Sequence, residues 1–246
     1  MPHIQINKHE FDDLVGAKVT EETLNEEASF LGVHWNHVNK EKWDIEVYPN
    51  RPDLLCVEGL ARAYRGYFGQ EKGLEQFEVN EGSVKLKRSQ SVDDVRPHIA
   101  CAVVRNLELS ERMINGLIQL QEKLHVSYGR QRDKIAIGLH DMSEISSPFT
   151  YKAVEPEKVS FTPLEYDKDI NLEEILHNHE KGQKYAWILD DEQKYPVIVD
   201  SNDKVLSFPP IINNQLTEVE NDTAKYNPAL QAFEEMQQQQ MAFRKT

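Results

Sequence analysis

Tyr195-Pro196-Val197-Ile198-Val199-Asp200-Ser201-Asn202-Asp203-Lys204-Val205-Leu206-Ser207-Phe208-Pro209-Pro210-Ile211-Ile212-Asn213-Asn214 carries the strongest fold signal in the chain. Apolar and β-branched residues at 197–199 and 204–208 predict two strands, and Ser201-Asn202-Asp203 predicts the turn that joins them. Pro209 and Pro210 then stop the second strand and stiffen the backbone, because neither has an N–H to give to a ladder. Two apolar residues and two amides follow. A rigid corner with polar groups beside a buried strand reads as the wall of a small-molecule pocket. It reads equally as a structural corner, and the residues by themselves leave both open.

Upstream, the apolar runs at 99–104 and 135–139 predict an inner strand and a second buried strand. Between them Ser110 opens a long helix. Met113, Ile114, Leu117, Leu120, Leu124 and Tyr128 fall at helical spacing, which predicts a buried face carrying Met113, Leu117, Leu120 and Leu124, and Gly129 ends the helix. Residues 84–87 alternate as a strand does. Asn171 with Glu174 forms a capping box for a short helix that Gly182 closes, and residues 187–189 read as a further strand.

The N-terminal part has its own pattern. Residues 3–6 are extended, and two helices follow, the second capped by Thr20 and stopped by Gly32. A strand at 43–48 runs into the turn Pro49-Asn50-Arg51-Pro52-Asp53. Asp53 then caps a helix whose apolar face carries Leu55, Leu60, Ala63, Tyr64 and Tyr67. The pattern breaks near residue 79, so two packed units are expected, 1–80 and 83–220, joined near residues 71–79. Helices and strands occur in both, an α+β class. Residues 227–246 have helical potential, but the centre Met236-Gln237-Gln238-Gln239-Gln240-Met241 has little to bury. An atypical tail, 221–246, is expected to fray or stay disordered.

Composition narrows the function. With 246 residues, 39% of them hydrophobic and 9% aromatic, the chain is long and apolar enough for one or two folded domains. No apolar run approaches the ~20 residues that span a bilayer, and the first residues carry no signal-peptide pattern. A soluble, cytoplasmic protein with no membrane partner is expected. The net charge of −14 opposes bulk attraction to phosphates, so any nucleic-acid contact must be local or depend on a partner. Cys56 and Cys101 stand far apart, which predicts two reduced thiols and no disulfide. His177 and His179 point to different helix faces, and His34 and His37 flank Trp35, so no zinc set is expected and all four read as surface or packing residues. His140-Asp141 lies at a strand end, where a functional group and a loop cap are both at home. Arg130, Arg132 and Lys134 form one small basic cluster and Lys85, Lys87 and Arg88 another, read either as solvated faces or as local phosphate contacts. The scattered glycines form no phosphate-binding loop, so no cofactor is expected in this chain. No catalytic triad can be assigned from spacing.

Several blocks together resemble a known family. Pro49-Asn50-Arg51-Pro52-Asp53-Leu54-Leu55 continuing through Glu58-Gly59-Leu60-Ala61-Arg62, then Arg96-Pro97, Ile118-Gln119-Leu120-Gln121-Glu122-Lys123-Leu124, Ile135-Ala136-Ile137-Gly138-Leu139-His140-Asp141 and the stretch from Tyr195 to Asn213 are similar, in order, to the N-terminal region of archaeal and eukaryotic-type phenylalanyl-tRNA synthetase beta subunits. The resemblance covers roughly residues 1–220. It implies a small N-terminal α/β domain over 1–80 and a mixed α/β editing domain of the B3/B4 type over 83–220. It implies an alpha-subunit partner in an α2β2 enzyme that joins phenylalanine to tRNA(Phe), with ATP and magnesium used mainly by alpha. It also implies hydrolysis of tyrosine misattached to that tRNA. Ile198 and Ser207 match editing-pocket positions, with Pro209 and Asn213 in the same block; no catalytic residue follows from the match. In the family the Pro-Pro-Ile-Ile-Asn block precedes a threonine-rich link and a strand ending in Asp-x-Thr-Gly, whose Asp and Thr help to line the site. Here Asn221-Asp222-Thr223 begins such a link, but residues 226–246 read as having neither the strand nor the motif, and the synthetase-core-like domains are not within these residues. Two readings therefore stand: an editing hydrolase module, or an editing-inactive RNA-binding or subunit-assembly module.

Overall fold

In this computed structural model the chain is described over residues 2–36, 41–74, 76–107, 109–219 and 229–236, without the side chains of 21, 25, 27 and 229–236. It divides into two compact units, Met1–Asn80 with Asn115–Tyr128, and Glu81–Ile114 with Gly129–Thr246.

The first unit contains β1 (His3–Asn7), α1 (Lys8–Val15), α2 (Glu21–Leu31), β2 (Val33–Asn36), β3 (Lys42–Val47) and α3 (Val57–Tyr67). Its antiparallel sheet runs β1-β3-β2. Alternation turns Ile4, Ile6, Trp43, Ile45 and Val47 inward, where the helices bury Phe11, Val15, Leu24, Leu60 and Tyr64 against them. Phe11 meets Trp35, Trp43 and Tyr64 edge-on, the arrangement that aromatic quadrupoles favour. Thr20 accepts from Thr23 N, and Gly32 leaves α2 at φ 82°, so both boundaries of α2 are those its caps predict. Asp53 differs from expectation. Its carboxylate is held by Arg51 through Nε–Oδ1 and Nη2–Oδ2 contacts of 3.0 and 2.8 Å, and the N-cap of α3 falls to Cys56. A paired guanidinium outcompetes backbone N–H groups for a carboxylate.

The second unit contains β4 (Leu86–Arg88), β5 (Ala100–Arg105), the start of α4 (Glu111–Val126), β6 (Ile135–Asp141), β7 (Phe149–Val154), β8 (Ser160–Phe161), β9 (Ile170–Asn171), α5 (Leu172–Asn178), α6 (Glu180–Tyr185), β10 (Tyr195–Val199), β11 (Val205–Phe208), β12 (Ile212–Asn213) and β13 (Ala229–Met236). Its main sheet is ordered β12-β11-β10-β7-β4, antiparallel except for the parallel β4–β7 pair. One face buries Phe149, Tyr151, Ile198 and Leu206. The other buries Val197, Val199, Val205, Phe208 and Ile211 beneath α5 and its neighbours. The capping box of Asn171 and Glu174 is present in full.

Four expectations change. The α4 segment from Asn115 belongs to the first unit, where Leu120 and Leu124 pack on the core; Leu117 is half-buried and Met113 exposed. Helical spacing identifies a face but not what will cover it. Gly182 lies inside α6, because any Cβ there would stand 1.8 Å from the carbonyl oxygen of Ile175. Residues 186–188 form a 3-10 turn rather than a strand. The tail supplies a strand: β13 lies between β5 and β6, antiparallel to both. In that order β5 and β6 do not pair with each other, so each offers a row of backbone groups that a third strand satisfies, and ladder bonding overrides weak local preference. The sequence of β13, Ala-Leu-Gln-Ala-Phe-Glu-Glu-Met, has no Asp-x-Thr-Gly motif. Residues 221–228 and 237–246 of the expected disordered tail lie outside the described residues.

Candidate functional site

Ile198 on β10 is the register partner of Ser207 on β11, and Ser207 is the partner of Asn213 on β12. Register partners share a sheet face, so the three form one row, which continues through Tyr151 on β7. The register shifts between Ile198–Ser207 and Val199–Val205. That shift leaves Leu206 as the extra residue of a bulge, a feature that re-aims side chains. Ile198 and Ser207 are 1% and 5% exposed. The Ser207 hydroxyl makes no hydrogen bond with any described residue.

The corner after β11 returns the chain on itself. The Pro209–Pro210 peptide is cis, both prolines are buried, and Ile211 N donates to Phe208 O at 2.8 Å. Asn213, half-buried, points its Nδ2 at the carbonyl oxygen of Leu139 on β6, 3.2 Å away. The same strand brings His140, wholly buried, into contact with Thr217 through Nδ1 and Oγ1 at 2.9 Å. Burial pushes the His140 pKa down to about 3, because a charged imidazolium would lose its hydration there. The ring is neutral at physiological pH. Gly138 makes this approach feasible: a Cβ on it would stand 2.9 Å from His140 Nε2 and 3.3 Å from Asn213 Oδ1.

The three basic residues separate. Arg132 is buried, and its Nη1 donates to the carbonyl oxygens of Pro210 and Ile211 at 3.2 and 2.7 Å. Its guanidinium lies over the Tyr185 ring, 4.4 Å from the centroid. Arg96 in turn donates to the carbonyl oxygens of Arg132 and Asp133. Arg130, Gln131 and Arg132 all take positive φ, 49°, 57° and 69°, a run that side chains with a Cβ rarely adopt. Arg132 thus braces the proline corner from within instead of facing solvent, whereas Arg130 is exposed and Lys134 lies beside Asp133 at 3.3 Å. His179 is structural: its Nε2 faces Leu164 O, and its Nδ1 accepts from Lys181 N.

Sequence reasoning missed Thr217 and Gly138. A lone glycine inside a strand pattern is a signal of close approach. Thr217, 77 residues from His140, offers no local signal. Among the described residues no group of three or more His, Cys, Asp or Glu is arranged to hold a metal ion, and no helix is long and apolar enough to cross a membrane.

No protein-family model matches the chain. Individual proteins do. The chain is 42% identical over 224 residues to the phenylalanine–tRNA ligase beta subunit of Methanothrix thermoacetophila, an alignment covering 91% of this chain and 41% of the relative. It is 42% identical over 235 residues to that of Archaeoglobus fulgidus, covering 96% and 42%. It superposes with a TM-score of 0.86 and 34% identity on the crystal structure of an N-terminal fragment of the phenylalanyl-tRNA synthetase beta-subunit from Pyrococcus horikoshii, covering 95% of this chain and 67% of that one. The chain belongs to the phenylalanyl-tRNA synthetase beta-subunit family. It corresponds to the family's N-terminal region and spans about two fifths of the length of the curated relatives it matches. The alignment with the Archaeoglobus relative, at 96% of the chain, extends into the stretch that resembles the family least by motif.

Proposed function

We propose that the chain serves phenylalanyl-tRNA synthesis as the N-terminal part of a beta subunit, and that its second unit hydrolyses tyrosyl-tRNA(Phe). The observation that carries this reading is the row Ile198–Ser207–Asn213, which sets an apolar side chain, a hydroxyl without a partner among the described residues and an amide on one sheet face. A synthetic pocket shaped for an apolar ring rejects the same ring with one added hydroxyl by only about a hundredfold. A second site that hydrogen-bonds that hydroxyl supplies the remainder. Ser207 offers such a group, Ile198 packs the ring, and Asn213 orients the ester end. Hydrolysis adds water across the ester: water oxygen bonds to the carbonyl carbon, the bond to the ribose oxygen breaks, and the ribose oxygen takes up a proton. An ester needs no strong base for this when fixed dipoles meet the developing charge.

By the family resemblance, ATP and magnesium go with an alpha-subunit partner in an α2β2 enzyme. The tRNA contact is local and falls to Arg130 and Lys134 in the turn after α4, while the buried Arg132 takes no part in it.

The test is deacylation of tyrosyl-tRNA(Phe) and phenylalanyl-tRNA(Phe), with and without added alpha subunit. Preferential loss of tyrosine is expected. No acceleration in either condition sinks the hydrolytic reading and leaves a binding or assembly module.

A further inference from the structure

Thr217 sits where three polar lines meet. Its Oγ1 lies 3.0 Å from the carbonyl oxygen of Asn214, 3.3 Å from that of Leu206 and 2.9 Å from His140 Nδ1. Both residues are wholly buried. Leu206 directly precedes Ser207 and Asn214 directly follows Asn213, so this one hydroxyl touches the backbone beside each polar member of the candidate row. A hydroxyl has one proton and two lone pairs. Carbonyl oxygens only accept. If the Thr217 proton pointed at the imidazole, a hydroxyl lone pair would face two carbonyl oxygens in a buried site. With the proton on the carbonyl side, His140 Nδ1–H donates to Oγ1 and all three of these contacts are attractive. The proton then resides on Nδ1, and Nε2 is the atom turned toward Gly138 and Asn213.

We infer that Thr217 and His140 form a positioning pair, which fixes the imidazole as its Nδ1–H tautomer and locks the backbone on both sides of the Ser207–Asn213 row. This deepens the editing reading and rests on it for its functional consequence. Neither residue contacts substrate in the role assigned. Their effect travels through the placement of Ser207 and Asn213, where a displacement of about 1 Å is enough to cost a reaction its geometry.

The test uses the full chain carrying Thr217→Val, which keeps the shape and removes the hydroxyl, and Thr217→Ser, which restores it. Two measurements are made: single-turnover deacylation of tyrosyl- and phenylalanyl-tRNA(Phe), and the nitrogen NMR shifts of His140. The wild type should show the Nδ1–H tautomer. Thr217→Val should lose it and lower the tyrosyl-over-phenylalanyl rate ratio about tenfold, the size of one buried hydrogen bond. Thr217→Ser should recover most of both. An unchanged ratio, equal loss on both esters, or an Nε2–H tautomer in the wild type overturns the proposal. If Thr217→Val fails to fold, Thr217→Ser and the wild-type tautomer still decide it. Should the wild type hydrolyse neither ester, the editing reading fails on its own, while the tautomer continues to test the pair.

Discussion

The carbonyl oxygen of Ile211 accepts a hydrogen bond from Arg132 Nη1 at 2.7 Å, tying a strained turn to the proline corner 79 residues later. Basic residues in sequence are read as surface groups because charge prefers water. Here the guanidinium has carbonyl acceptors on one side and the Tyr185 ring on another, and a fork of fixed donors exploits both. Replacing Arg132 with Met should lower unfolding stability by about 2–4 kcal/mol, since two carbonyl oxygens lose a charged donor in a buried site. Arg132→Lys should fall between, with the charge kept and the planar stacking lost. Urea melts of the three proteins check the order, and equal midpoints for Met and wild type would contradict it.

Gly59 gives a second test, on the other unit. A Cβ at this position would stand 1.9 Å from the carbonyl oxygen of Asp53, whereas one on Gly66 in the same helix meets nothing within 4 Å. Gly59→Ala must therefore push α3 off the Arg51–Asp53 turn, at about 1–3 kcal/mol or more. Gly66→Ala should be neutral or stabilising by up to about 1 kcal/mol, because alanine lowers the entropy of the unfolded chain. Thermal melts that rank the two the other way would show that α3 does not approach the turn so closely.

Acid stability follows from His140. Its pKa falls from the ordinary 6.5 to about 3 on burial. The folded chain thus holds this ring neutral while the unfolded chain protonates it below pH 6.5. Between pH 6.5 and about 3 the unfolded state binds more protons, so stability drops as pH falls, by up to about 1.4 kcal/mol per pH unit for a single full proton. Below about 3 this contribution stops changing. His140→Asn keeps a side-chain donor and cannot titrate. Its stability should depend less steeply on pH across that window, as measured by denaturant midpoints from pH 7 to 4. Parallel curves for the two proteins would remove His140 as the source.

Much of the site was legible where local chemistry sets geometry. Ser201-Asn202-Asp203 joins β10 to β11 through a short turn, with Asp200 accepting from Asn202 N and Lys204 N, so the two strands had to pair and Ile198 and Ser207 had to fall near each other. The two prolines fixed the corner for the same reason. What stayed hidden depends on distant partners. Nothing around Thr217 hints at His140, and nothing near Arg132 hints at the Ile211 carbonyl. The tail is the sharpest case. Residues 226–246 read as having no strand, yet Ala229–Met236 pairs with β5 and β6, because strand formation there is decided by the open ladders on each side rather than by the residues inserted.

Ser207 separates a ligand-reading hydroxyl from an ordinary turn serine. Serines near corners commonly bond the local backbone, and such a bond is missing among the described residues. The side chain is nonetheless nearly enclosed, at 5% exposure, in a row with Ile198 and Asn213. Ser207→Ala should leave stability within about 1 kcal/mol of wild type, since no intramolecular hydrogen bond is broken. The same change should erase discrimination between tyrosyl- and phenylalanyl-tRNA(Phe), because the group that meets the phenol is gone. Ser207→Leu should go further and abolish deacylation of both, because a bulky apolar side chain replaces the hydroxyl in the row with Ile198 and Asn213. Single-turnover assays beside thermal melts distinguish the outcomes. If Ser207→Ala costs several kcal/mol and leaves the substrate ratio intact, the serine is structural and the row Ile198–Ser207–Asn213 is not the tyrosine-reading surface.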